Sequence, residues 1–282
     1  MKRTLILLIF LSSLASAQTA SSLFLKSDGV QVSEIKSPEG DLYKKVGHHG
    51  PAVENKMSAW RLYFNDSGAI DVYSKSGEQM ELLKYLWYPT EEQQKSEGAG
   101  CDEYRVGKTV GCGGIALWDG EKEVKLIATE GRTARAGKTL RGCYAEMISY
   151  GVPYKGGKVD ISVRIDVTRG SRTATVTAKC LGGEKVQFLT GLNCHPTSTV
   201  GQKDGAIWTW GIHPADVSQH PIPIGAGLFY NKKIFTFDLT RDFMRLISSE
   251  QKSVSTVIVA ASVKEKALGT ESSFVKYMTS KN

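Results

Sequence analysis

Two adjacent histidines, His48 and His49, head the stretch HHGPAVENKMSAWRLYF, residues 48–64, which also holds Glu54, Asn55, Arg61 and Tyr63. Imidazole titrates near neutrality and can serve as base or acid, and a guanidinium matches a carboxylate in a bidentate fork. A phenol held beside positive charge can protonate a leaving oxygen. Together these groups suit a sugar-binding surface that can grip a carboxylate and ring hydroxyls. Arg61 and Arg105 are the candidate carboxylate clamps. His48, His49 and His195 are the candidate bases or acids, and Tyr63, Tyr88 and Tyr104 the candidate proton donors. Glu54 and Asn55 can orient a histidine or grip ring hydroxyls, while Trp208, Trp210 and His213 can line a sugar-binding surface. Each has a competing structural role: histidines hydrogen-bonded in a core, arginines in surface ion pairs, tryptophans packed inside.

A strand must carry the first group. Beyond the turn at Gly50-Pro51, alternation places Trp60, Leu62 and Phe64 on one face and Asn55, Ala59, Arg61 and Tyr63 on the other. The first set is core material and the second is recognition material. Residues 65–68 make a turn, and residues 69–73 return as the second arm of a hairpin. Residues 79–87 are ambiguous in type: Leu82, Leu83 and Leu86 have a spacing compatible with a helix, and Tyr88-Pro89 ends the element. Residues 90–114 read as a long polar, glycine-rich loop holding Asp102, Tyr104 and Arg105, the kind of segment that binds. The clearest strand spans residues 159–168, where Val159, Ile161, Val163, Ile165 and Val167 alternate with polar residues. Further strands are expected over 171–180, 186–192, 206–212, 233–239 and 254–263, with a hairpin over 115–128 and a terminal helix over 272–278. Many short strands joined by Gly, Asp and Asn turns predict an all-β class, two antiparallel sheets packed face to face in one domain over residues 18–282.

Lys2 and Arg3, the apolar run over residues 5–11 and Ala15-Ser16-Ala17 read as a signal peptide, residues 1–17, so a periplasmic or secreted protein is expected. The apolar run is too short to span a bilayer and no later stretch is longer, so stable membrane insertion is not expected. Without Lys2 and Arg3 the formal net charge falls from +7 to +5. Mild basicity favours anionic partners, and with export it argues against nucleic acid. The five cysteines form an odd set; Cys101 and Cys112 bracket a glycine-rich loop and could pair. There is no CxxC, HxH or HExxH spacing, so no metal or other cofactor is assigned, though His48, His195 and His213 could converge on zinc.

The run HHGPAVENKMSAWRLYF, its hairpin partner IDVYSK, and then LWYP, RVGKTVGCGGIALWDG and FLTGLNCHP follow one another as in a known family. Over residues 48–217 the chain resembles secreted bacterial proteins encoded near polysaccharide-degrading enzymes and catalogued as a domain of unknown function; the tail departs from the pattern. The resemblance implies a supersandwich of two large antiparallel sheets like that of galactose mutarotases and several polysaccharide lyases. It also implies a part in degrading uronic-acid-containing glycans, one branch looking like oligosaccharide dehydratases that act on ulvan-type fragments. The expectation is an exported lyase that eliminates water, or a glycoside, from a uronate of an anionic oligosaccharide. Two other readings use the same residues. A glycoside hydrolase would take Glu54 and Asp102 as its carboxylate pair, and a non-catalytic carbohydrate-binding protein would use the arginines and tryptophans alone.

Overall fold

The computed structural model describes residues 18–86, 89–215 and 221–280. The expected signal peptide, Trp87, Tyr88 and His220 lie outside the described residues. Among the described residues eighteen strands form three sheets, and every paired set of these strands is antiparallel. The smallest sheet orders β1 (Thr19–Ser22), β3 (Ala52–Asn55), β4 (Ser58–Leu62) and β5 (Ile70–Ser74) side by side. The largest runs β13 (Thr199–Lys203), β14 (Ala206–Gly211), β15 (Ile224–Phe229), β18 (Ser253–Ser262), β11 (Ala174–Cys180), β10 (Gly157–Thr168), β9 (Gly142–Tyr154), β8 (Arg132–Lys138) and β2 (Glu34–Ser37). The third orders β16 (Phe235–Leu239), β17 (Phe243–Ser248), β12 (Gln187–Asn193), β6 (Ala116–Trp118) and β7 (Glu123–Val124).

One core joins all three. Val163, Ile165, Val176 and Ile258 of the nine-stranded sheet meet Val53, Trp60, Leu62 and Val72 of the four-stranded sheet and Phe188, Leu192 and Leu246 of the five-stranded one. The architecture is an all-β sandwich in which the two smaller sheets share the layer opposite the large one. The loop between α1 (Glu91–Ser96) and β6 bridges those two sheets. Cys101 pairs with Ser74, Gly111 with Ile70, and the Gly113 N–H donates to the Gly191 carbonyl. This seam is where the cleft lies.

Local chemistry explains where the chain departs from its sequence pattern. The expected continuous strand after Pro51 is broken by a tight turn, because the Asn55 side-chain oxygen accepts the N–H groups of Met57 (2.8 Å) and Ser58 (3.0 Å). Trp60, Leu62 and Phe64 still share the fully buried face. Residues 79–86 form turns rather than a helix, and Glu54 accepts the Glu81 and Leu82 N–H groups at 2.6 and 2.9 Å. A one-and-a-half-turn helix, α1, does form inside the expected loop, set by a Thr90/Gln93 capping box. The terminal helix, α2 (Glu271–Ser280), lays Phe274 and Met278 on β14 and β15. Gly225 makes room for it, since a Cβ there would sit 2.5 Å from the Trp210 ring and 2.9 Å from Phe274. All five cysteines are buried free thiols, so Cys101 and Cys112 do not pair. No helix among the described residues is long and apolar enough to cross a membrane.

Candidate functional site

A cleft of about 380 Å³ opens at the seam. Its walls come from His49 and Tyr43 before β3, Tyr63 just after β4, Asp71 of β5, Asp102 to Gly107 of the bridging loop, and Pro214, Ala215 and Pro221. His49 is delivered by a left-handed turn. His48 and His49 have φ of 53° and 60°, a region that non-glycine residues rarely occupy. The turn is held because the Phe64 N–H donates to the His49 carbonyl at 2.8 Å. Gly50 is required beside it, since a Cβ would fall 1.9 Å from the Leu62 carbonyl oxygen.

His49 stacks on Tyr43, ring centroids 3.9 Å apart and planes within 7°. Its Nδ1 lies 3.0 Å from the Tyr43 carbonyl. A carbonyl only accepts, so Nδ1 carries the proton and the neutral ring presents Nε2 as its basic nitrogen. Burial lowers the His49 pKa, opposed in part by that carbonyl, so the imidazole is neutral at pH 7.

Tyr63 meets His49 edge-on with centroids 6.0 Å apart, and its hydroxyl donates to Asp71 Oδ2 at 2.7 Å. Asp71 stands directly across the β4–β5 ladder from Arg61, whose Nη2 donates to both Asp71 and, at 2.6 Å, Asp102. The chain of contacts runs Tyr63, Asp71, Arg61, Asp102, and it pins the bridging loop to the sheet. Burial and the Asp71 charge push the Tyr63 pKa up, and burial does the same for Tyr43, so both phenols hold their protons.

Arg105 is the exposed cation of the cleft, and among the described residues it faces no carboxylate within ion-pair distance. Its backbone is fixed from behind. The Arg105 N–H donates to His213 Nδ1 at 3.0 Å, and its carbonyl accepts from Asn193 Nδ2 at 2.7 Å. His213 itself is buried, its pKa depressed to about 3 by desolvation. His195 packs against it with ring centroids 4.4 Å apart.

Several expected site residues therefore sit elsewhere. Arg61 is no substrate clamp, because two carboxylates already hold it and only 3% of it is exposed. His48 turns away from the cleft into a small pocket behind Arg61, with its pKa depressed to about 3 by burial. Glu54 is fully buried, paired with Lys75 at 2.8 Å and capping two backbone N–H groups, so it neither binds ligand nor forms a hydrolase pair with Asp102. Asn55 caps its turn. Trp208 and Trp210 belong to a separate core beneath α2 and do not line the cleft. His195 and His213 support the Arg105 loop from beneath and do not line the cleft. Of the expected site residues, His49, Tyr63, Tyr104 and Arg105 are brought together, Tyr104 buried with its hydroxyl accepting the Asn193 N–H at 2.9 Å. Tyr43 and Asp71 were not anticipated. Asp71 was findable as the residue opposite Arg61 in the predicted hairpin, whereas nothing in the sequence marks Tyr43. Among the described residues no group of three or more His, Cys, Asp or Glu side chains gathers as a metal ion requires.

No curated protein matches the chain. Among solved structures it is similar to the 4-alpha-glucanotransferase from Thermococcus litoralis at 10% identity and a TM-score of 0.36, over 76% of this chain and 40% of that one. The chain thus spans well under half the length of that enzyme, and a likeness this loose carries no argument about activity. Residues 14–282 match a family described as a domain of unknown function, DUF4861, and the chain belongs to that family.

Proposed function

We propose that the protein is an exported carbohydrate-active lyase that eliminates water, or a glycoside, from a uronic-acid residue of an oligosaccharide. One observation carries this reading: a neutral imidazole with a defined basic nitrogen, a protonated phenol and an exposed guanidinium border one polar cleft. Those are the three groups that β-elimination beside a carboxylate needs.

Arg105 would bind the uronate carboxylate and stabilise the charge that develops on it as the C5 proton leaves. His49 Nε2 would take that proton, with the Tyr43 carbonyl holding the tautomer and stabilising the imidazolium that results. Tyr63 would protonate the departing oxygen at C4, and the double bond forms between C4 and C5. Arg61 limits the cost of the transient phenolate, which would otherwise face the Asp71 carboxylate alone.

The test is incubation with glucuronate- and iduronate-terminated oligosaccharides, followed by ultraviolet absorbance and mass spectrometry. Elimination predicts a conjugated double bond and, for a free terminal uronate, loss of one water. New reducing ends without absorbance would instead indicate hydrolysis, and binding without change a carbohydrate-binding protein.

A further inference from the structure

A second groove of about 370 Å³ adjoins the cleft, lined by Asp41, Leu42, Lys44, Lys45 and Asn65, and it shares Tyr43 with it. The groups in this groove are of three kinds. Lys44 and Lys45 are exposed cations with no carboxylate partner among the described residues. Asp41 and the nearby Glu39 accept hydrogen bonds, one Asp41 oxygen already taking the Tyr43 N–H at 2.8 Å. Leu42 and Tyr43 give apolar surface. Cations alone would suit any anion, but cations, acceptors and an apolar strip together suit a polyhydroxylated acid, whose hydroxyls donate, whose carboxylate pairs with lysine and whose C–H face packs.

Tyr43 ties this groove to the chemistry. Its carbonyl holds His49 Nδ1, and its ring lies flat on the imidazole. Anything pressing on Tyr43 from the groove side presses on the residue that orients His49. We propose that the groove is a second subsite for an adjacent acidic sugar of the same chain, and that its occupancy positions His49 through Tyr43. The part concerning His49 rests on the elimination reading; the subsite does not. Binding energy gathered on a remote unit would then improve turnover as well as affinity.

The experiment compares a uronate dimer with a tetramer. Affinities are measured by calorimetry in a His49→Ala background, so that the ligand survives, and rates by absorbance with His49 present. The tetramer is expected to bind about tenfold tighter than the dimer, and the double charge reversal K44E/K45E to reduce that advantage to within about twofold. The same reversal at the distant exposed pair, K232E/K233E, should leave the advantage in place. Coupling through Tyr43 predicts a higher kcat for the tetramer, and an advantage confined to KM would overturn the coupling. Equal binding of the two lengths, no binding of either, or an advantage indifferent to K44E/K45E would overturn the subsite. A lysine-dependent binding advantage with no double bond formed would leave the subsite standing and remove the elimination reading.

Discussion

The four-stranded sheet carries two ionic clusters that differ in one respect. At one, Lys75 gives its three ammonium protons to Glu54 and to the carbonyls of Asn55 and Gln79, at 2.6 to 2.8 Å, and both charged side chains are sealed from solvent. At the other, Arg61 is shared by two carboxylates and reaches the cleft through the Tyr63 hydroxyl on Asp71. The first cluster is complete in itself, so it has nothing left to offer a ligand. The second borders the cleft and sets a phenol beside a basic imidazole, which is an arrangement that can take part in proton transfer. Burial alone does not separate structure from function here; access to the cleft does.

The largest expected effect falls on the cleft. His49→Ala should lower turnover by roughly 10²- to 10⁴-fold while leaving the melting temperature nearly unchanged, as read by absorbance kinetics beside calorimetry. Full activity in that variant would break the contrast. Next, Glu54→Ala strands the buried Lys75 charge and should cost about 3–5 kcal/mol of stability in denaturant titration, with turnover per folded molecule retained. A stable but inactive Glu54→Ala protein would move that cluster into the machinery.

Protonation sharpens the comparison further. His48 and His213, each held near a pKa of about 3 against 6.5 in the unfolded chain, bind fewer protons when folded. Their contribution to stability is therefore present above pH 6.5 and lost as pH falls toward about 3, measurable as a declining unfolding free energy. His49 is depressed in the same direction, so the acid limb of kcat/KM should lie below pH 6.5, and a limb above that value would exclude it as the base. The smallest effect is expected of Arg105→Lys, which keeps the charge but loses the fork. KM should rise roughly tenfold, with kcat changed less.

Much of the sandwich was legible because its central strands alternate. Val159 to Val167 marks β10 plainly, and Trp60, Leu62 and Phe64 mark the buried face of β4. The strands that escaped notice have other chemistry. β9 contains Gly151 and Pro153, and β15 is a glycine-rich IGAGLF whose small residues make room for Trp210 and α2. At the site, residue type pointed to His49, Tyr63 and Arg105, but type could not tell them from Glu54, Trp208 or Trp210. That distinction depends on long-range partners. Lys75 and the N–H groups of Glu81 and Leu82 seal Glu54, and a helix more than sixty residues downstream covers the two indoles. Tyr43 matters through its carbonyl and its ring plane, neither of which leaves a trace in sequence.

The removal of one proton is the step on which the whole reading depends, so the most direct measurement uses uronate-terminated oligosaccharides carrying deuterium at C5. Proton abstraction by His49 in the rate-limiting step predicts that absorbance at the new double bond grows more slowly from the deuterated substrate than from the ordinary one. Equal growth from both, or none from either, would contradict it.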